Sequence, residues 1–212
     1  WLHGSELEKD PLFKGSKGNE YNKKDRMPLF EVEEFPGGLL IGARRNADAG
    51  KYYWRITPWI MPWYSIIPPR AGHPLGANAW VPIDDETCWA WSINYHPKRA
   101  LTKSEVSAMQ DGKGIHVKYV PGTFIPLANK ANNYLMDREA QRHGHSATGI
   151  DGIAMQDASI QESMGTIQDR TNEHLCATDA GIVMTRKIML RAAKAAAEGR
   201  PVPATEPEAQ RV

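Results

Sequence analysis

A chain of 212 residues with 26 Lys plus Arg against 25 Asp plus Glu carries a formal net charge of +1. That balance gives no electrostatic reason to bind nucleic acid or an anionic membrane. No run of about 18 apolar residues reads as a membrane span, and two cysteines, Cys88 and Cys176, build neither a disulfide framework nor a four-cysteine metal site.

A reducing cytoplasm is therefore the simplest compartment, and the length suits one large domain or a domain with long excursions. Trp1-Leu2-His3-Gly4 is neither a start site nor a signal peptide, so the chain reads as a fragment or a processed piece. Residues 4–27 are polar, with Gly15, Gly18 and the charged run Lys23-Lys24-Asp25-Arg26, and read as a surface excursion with little regular structure. From Pro28 the pattern becomes β. Phe30-Glu31-Val32-Glu33 alternates, and Leu39 to Arg45 follows the turn signal Pro36-Gly37-Gly38.

Lys51 to Ile67 is rich in aromatic and β-branched residues, and Pro58 and Pro62 within it demand an edge, a bulge or a bend. A hairpin is predicted from Asn78–Ile83 and Thr87–Tyr95, turning through Asp84-Asp85-Glu86, which completes an antiparallel sheet of about five strands. Six of the seven tryptophans lie between Trp54 and Trp91; such density is expected to form a core or to line an apolar cavity, core being the simpler reading.

Thr102-Lys103-Ser104-Glu105 has capping-box spacing and opens a helix that stops near Gly112. Residues 112–134 read as loop. Helical pattern returns at 136–143, at 150–164 and at Thr178–Glu198, the last closed by Gly199-Arg200-Pro201. The tail from 199 to 212 is rich in Pro, Ala and Glu and is expected to lack structure. Strands followed by helices give an α+β class, not alternating βαβ units.

The chemistry begins at 150–164, where Ile150, Ile153, Ala154, Ile160 and Met164 form a stripe at helical spacing with Asp157 in its middle. A carboxylate there costs several kcal/mol, in order of magnitude, unless it is paired, protonated or bound to metal. A buried ion pair with Arg and a metal site both satisfy it. His3 belongs to no HxH, HxxH or HExxH pattern and by default is a surface residue. His143-Gly144-His145 has ligand-like spacing but sits in a polar turn, where surface histidines are the simpler account.

The stretch GIDGIAMQDASIQESMGTIQDRTNEHLCATD at 149–179 resembles the catalytic domain of Rieske non-haem iron ring-hydroxylating oxygenases of the phthalate 4,5-dioxygenase type. The resemblance runs through IGARRNADAGKYYWRITPW at 41–59 and WVPIDDETCWAWSINYHP at 80–97, and covers the chain from His3 to about residue 198. It implies a helix-grip fold of the START/Bet v 1 kind, an antiparallel sheet wrapped on a long C-terminal helix, with residues 1–198 as a catalytic domain truncated on its N-terminal side.

It further implies one mononuclear Fe(II) held by two histidines and a carboxylate, the facial triad with open positions for O2. Asp157 in MQDASIQES matches the carboxylate, and His3 matches the second histidine of D-x-x-H-x-x-x-x-H. The first histidine would lie upstream of Trp1. So would the C-x-H and C-x-x-H ligands of the [2Fe–2S] Rieske cluster, neither of which occurs here. The chain alone is then expected to have little or no turnover.

Electrons would come from NAD(P)H through a reductase, and the family assembles as a homotrimer or a larger homo-oligomer. The substrate is expected between the sheet and the Asp157 helix. A phthalate-like carboxylate needs a pocket arginine whose fork binds it bidentately. Arg55 and Arg26 rank ahead of the Arg44–Arg45 pair, whose members point to opposite faces of one strand. A monooxygenase or O-demethylase of methoxy- or phenoxy-benzoates would use the same iron site. A non-enzymatic helix-grip binding module is the reading from a different class, and Asp157 argues against it.

Overall fold

Alternation of branched and aromatic residues from Leu29 onward generates one six-stranded antiparallel sheet whose strands follow each other in sequence order: β1 (Leu29–Phe35), β2 (Gly38–Asn46), β3 (Tyr52–Ile60), β4 (Tyr64–Ile67), β5 (Leu75–Pro82) and β6 (Cys88–Tyr95). The computed structural model describes His3 and residues 6–210. The sheet has one strand more than sequence pattern suggests, because the turn at Met61-Pro62, a cis peptide bond, divides the aromatic run in two. Pro58 sits opposite Leu40, but β4 reaches only to Trp59 and Ile60. The proline therefore occupies a stretch of β3 that is an edge on the β4 side, where a residue without N–H is tolerated.

Residues divide into two compact units. One contains the described residues up to Ser16, Arg70–Pro74 and Tyr95–Asp169; the other contains Lys17–Pro69, Leu75–Asn94 and the residues from Arg170 onward. In the second, the long helix α6 (Ala180–Ala197) packs on β1 and β2. Leu39, Met61, Ile188 and Ala192 form the buried centre, with Val32, Ile41, Trp59 and Met184 around them. Gly181 permits the approach: a Cβ there would stand 2.9 Å from Ile41 Cδ1. Arg191 of α6 also pairs with Glu34 of β1. A sheet gripping its C-terminal helix is the α+β helix-grip arrangement.

Pairing register fixes which residues share the helix-facing side. Leu39 lies opposite Trp59 and Ile41 opposite Thr57, so Ala43, Arg45, Tyr53 and Arg55 continue the same face. Tyr52, Trp54 and Tyr64 belong to the other face and are exposed. The β5–β6 hairpin closes where Ile83 N donates to Thr87 O and Asp84 accepts from Glu86 and Thr87. Ser92 donates to Asn78 at 3.4 Å, which puts Trp89 and Trp91 on the outer face too, 43 % and 55 % exposed. Three of the six tryptophans in this segment, Trp54, Trp89 and Trp91, thus lie on the outer sheet face, and among the described residues Trp59 alone joins the core cluster.

The polar segment 4–27 holds more regular structure than its composition suggests. It forms α1 (Glu6–Lys9) and α2 (Lys17–Lys24). Glu20 in the first turn of α2 and Lys23 and Lys24 in its last complement the helix dipole, and buried Tyr21 hydrogen-bonds Asp48 at 2.8 Å. The tail also packs. Val202 and Ala204 lie against the core, and Ala209 is buried. Residues 211–212 lie outside the described residues.

In the first unit, α3 (Lys103–Gln110) carries the capping box read from the sequence: Thr102 accepts from Glu105 N, and Glu105 accepts from Thr102 N. The helices α4 (Arg138–Arg142) and α5 (Ile153–Ser163) follow. Tyr134, Ile150 and Met155 form this unit's buried cluster.

Two outcomes follow from the packing and the cap. Leu39→Ala should destabilise the protein by about 2–5 kcal/mol, because Leu39 is fully enclosed and the cavity cannot refill; a denaturation midpoint shared with the wild type would contradict this. The Arg99 guanidinium and the Thr102 N–H hold the Glu105 carboxyl down at about 2. Its unfolded value is about 4.3, so its contribution is complete above that pH and is lost as pH falls toward 2. Amide shifts of Thr102 and Glu105 should titrate in that acid range and stay flat above pH 5.

Candidate metal centre

Gly152, whose φ of +84° suits a glycine, caps the start of α5, and the helix then buries Ile153, Met155 and Gln156. This is not the face that the apolar spacing indicates, since Ile160 and Met164 are 47 % and 55 % exposed. Gln156 is the most enclosed residue of the helix, at 1 % exposure. Asp157 follows it and therefore stands at the rim of the buried face, with its side chain 46 % exposed.

The C-terminal half of α5 is tied down separately. Tyr134 donates to Glu162 Oε2 at 2.5 Å, and burial, then that carboxylate, pushes its hydroxyl up to about 12. Tyr134 sits in a run of three left-handed residues with Asn133 and Leu135, at φ of 53°, 55° and 50°. Such backbone costs of order 1–3 kcal/mol per residue and persists only where the surroundings enforce it.

His3 reaches α5 from the other end of the sequence. Its Nδ1 lies 3.0 Å from Gln156 Oε1 and its Nε2 3.4 Å from Asp157 Oδ1. A few residues later, buried Asp10 anchors the segment by accepting from Leu12 N at 2.8 Å and Gly114 N at 2.7 Å. Burial shifts the Asp157 carboxyl upward from its ordinary value, and His3 only partly opposes this. The carboxylate thus sits where a further cation would stabilise it.

An imidazole nitrogen and a carboxylate oxygen 3.4 Å apart can both reach one first-row metal ion at the usual bond lengths of about 2.0–2.2 Å. The donor types are those of a two-histidine, one-carboxylate iron site. Among the described residues no group of three His, Cys, Asp and Glu stands together. His143 and His145 are exposed, with His143 beside Glu139.

The four arginines fall apart by strand face. Arg44 lies on the outer face, 4.6 Å over the Tyr52 ring and 5.9 Å over Trp54. Arg26 is exposed before β1. Arg45 and Arg55 share the helix-facing side as diagonal neighbours, since Arg45 opposes Tyr53 and Arg55 lies two residues further along β3. Both Nη1 atoms are buried without a hydrogen-bond partner among the described residues. Burial and the nearby Arg55 charge shift Arg45 downward from its ordinary value, while Asp25 opposes.

Comparison with known proteins gives the context for this geometry. Residues 19–211 match the family model described as LigXa C-terminal domain like. The chain belongs to that family. It is 31 % identical over 179 residues to the 3-chlorobenzoate-3,4-dioxygenase oxygenase subunit of Comamonas testosteroni, covering 79 % of this chain and 41 % of that protein. It is 34 % identical over 176 residues to the phthalate 4,5-dioxygenase oxygenase subunit of Pseudomonas putida, covering 79 % and 38 %. The resemblance to oxygenase subunits of aromatic dioxygenases read from residues 41–59, 80–97 and 149–179 is thereby shown. This LigXa C-terminal domain-like chain spans about two fifths of the length of the curated relatives it matches. No helix among its described residues is long and apolar enough to cross a membrane.

Sequence reading singled out His3 and Asp157 and passed over Gln156. The available signal was a polar side chain directly after the apolar run Ile153-Ala154-Met155 and directly before the carboxylate.

Proposed function

We propose that this chain is the iron-binding portion of a Rieske-type oxygenase subunit that hydroxylates an aromatic carboxylate with O2. The observation that carries the reading is the meeting of His3 with Asp157, across 154 positions of sequence, at 3.4 Å. His3 Nε2 and Asp157 Oδ1 would hold a mononuclear Fe(II), with a further histidine supplied from upstream of Trp1. When bound, the metal supplies O2 activation, driven by electrons from NAD(P)H through a reductase and a [2Fe–2S] cluster outside this chain. The protein's own part is to hold these donors in place and to orient the ring.

Within the sheet's own unit, Arg45 and Arg55 offer a place for a carboxylate. Two guanidinium groups on one sheet face repel, and each keeps a buried nitrogen with hydrogen-bonding capacity unused. A bound carboxylate would offset the repulsion between them and take up those donors. In this reading Arg45, not Arg26, is the partner of Arg55. The names of the two relatives, which refer to 3-chlorobenzoate and phthalate, agree with a substrate of this charge.

Two substitutions in the intact subunit test these assignments. Asp157→Ala should remove the mononuclear iron and turnover while leaving the Rieske absorption spectrum unchanged; iron and turnover that persist would sink the ligand assignment. Arg55→Met should weaken aromatic carboxylate binding at least tenfold, read by titration, since a charge-assisted pair contributes about 1.5–3 kcal/mol. Unchanged affinity would remove Arg55 from the substrate site. Product analysis then separates dioxygenation, which yields a cis-dihydrodiol, from monooxygenation, which yields a phenol.

A further inference from the structure

A primary amide that is 1 % exposed must satisfy its polar atoms inside the protein, and the partners of Gln156 leave it one orientation. Its Nε2 donates to Ile150 O at 3.0 Å. Exchanging the amide's nitrogen and oxygen would set Oε1 against that carbonyl, acceptor against acceptor. Oε1 therefore faces His3, and at 3.0 Å from Nδ1 it acts as acceptor. A ring nitrogen that donates carries a proton, so Nδ1 is the protonated nitrogen of His3. In the neutral ring the lone pair then belongs to Nε2, the nitrogen beside Asp157 Oδ1.

We infer that Gln156 is a positioning residue that fixes the tautomer and ring orientation of His3, so that the Nε2 lone pair is presented for a metal ion next to Asp157. Gln156 hydrogen-bonds His3 through its side chain and precedes Asp157 directly in α5, so one buried group sets the spacing between the two donors. It acts through His3 and touches neither metal nor substrate. This inference rests on the reading of His3 and Asp157 as iron ligands. Partners of this kind, which hold the second ring nitrogen of a ligating histidine, typically change metal affinity by about 10–100-fold when removed.

The test is Fe(II) affinity, measured by competition with a chelator on the intact oxygenase subunit, for wild type, Asp157→Ala, Gln156→Met and Gln156→Glu. Gln156→Met keeps the volume and loses both polar contacts, so it should weaken Fe(II) binding about 10–100-fold. A buried Glu in its protonated form can donate to Ile150 O and still accept from Nδ1, so Gln156→Glu should hold iron within about threefold of wild type. Wild-type affinity in Gln156→Met would overturn the role of Gln156 and leave the iron reading intact. Iron retained by Asp157→Ala would overturn that reading itself. Should Gln156→Met melt well below the wild type, Gln156→Glu decides: normal melting with iron lost overturns the inference.

Discussion

The buried amide of Gln156 is the constraint on which the candidate centre depends. Its donor side closes on Ile150 O, six residues earlier, and its acceptor side closes on His3, 153 positions away. A polar group enclosed this fully is costly when any of its bonds is missing, so packing and polar satisfaction have to be achieved together. That coupling brings His3 to α5 and sets Asp157 at the rim of the buried face. The Tyr134–Glu162 bond holds the other half of the same helix, so the Asp157 backbone is fixed from both sides.

Local chemistry was the legible part of the fold. Thr102 and Glu105 at capping-box spacing, the Asp84–Thr87 turn, the glycine after α6 and the period-two alternation of β1 to β3 each have a short-range cause. The structure places them as expected. Less legible was whatever depends on a distant partner. Helix α2 is polar in composition and gains its place from Tyr21 against Asp48 and from the close approach of Gly18 to Tyr53. The outer tryptophans look like core by composition, yet only strand register shows that Trp89 and Trp91 lie opposite the helix-facing side. The tail from 199 to 210 reads as unstructured, and Ala209 is nevertheless buried.

The centre itself divides the same way. Asp157 was visible as a carboxylate within an apolar helical run, although that run buries a different face from the one its spacing suggests. His3 could be paired with it only through family resemblance, because nothing in the local sequence links two residues so far apart. Gln156 was invisible to periodicity, since a polar residue inside a helix is ordinarily read as solvated. The arginines show what register adds: Arg44 and Arg45 are adjacent in sequence, and one stacks on outer aromatic rings while the other shares a face with Arg55.

Whether His3 and Asp157 hold one metal ion can be read from the iron anomalous signal in crystals of the intact subunit loaded with Fe(II). A peak separate from the Rieske cluster is expected, within about 2.2 Å of both His3 Nε2 and Asp157 Oδ1. Iron found elsewhere, with His3 and Asp157 joined only as an ion pair, would contradict it.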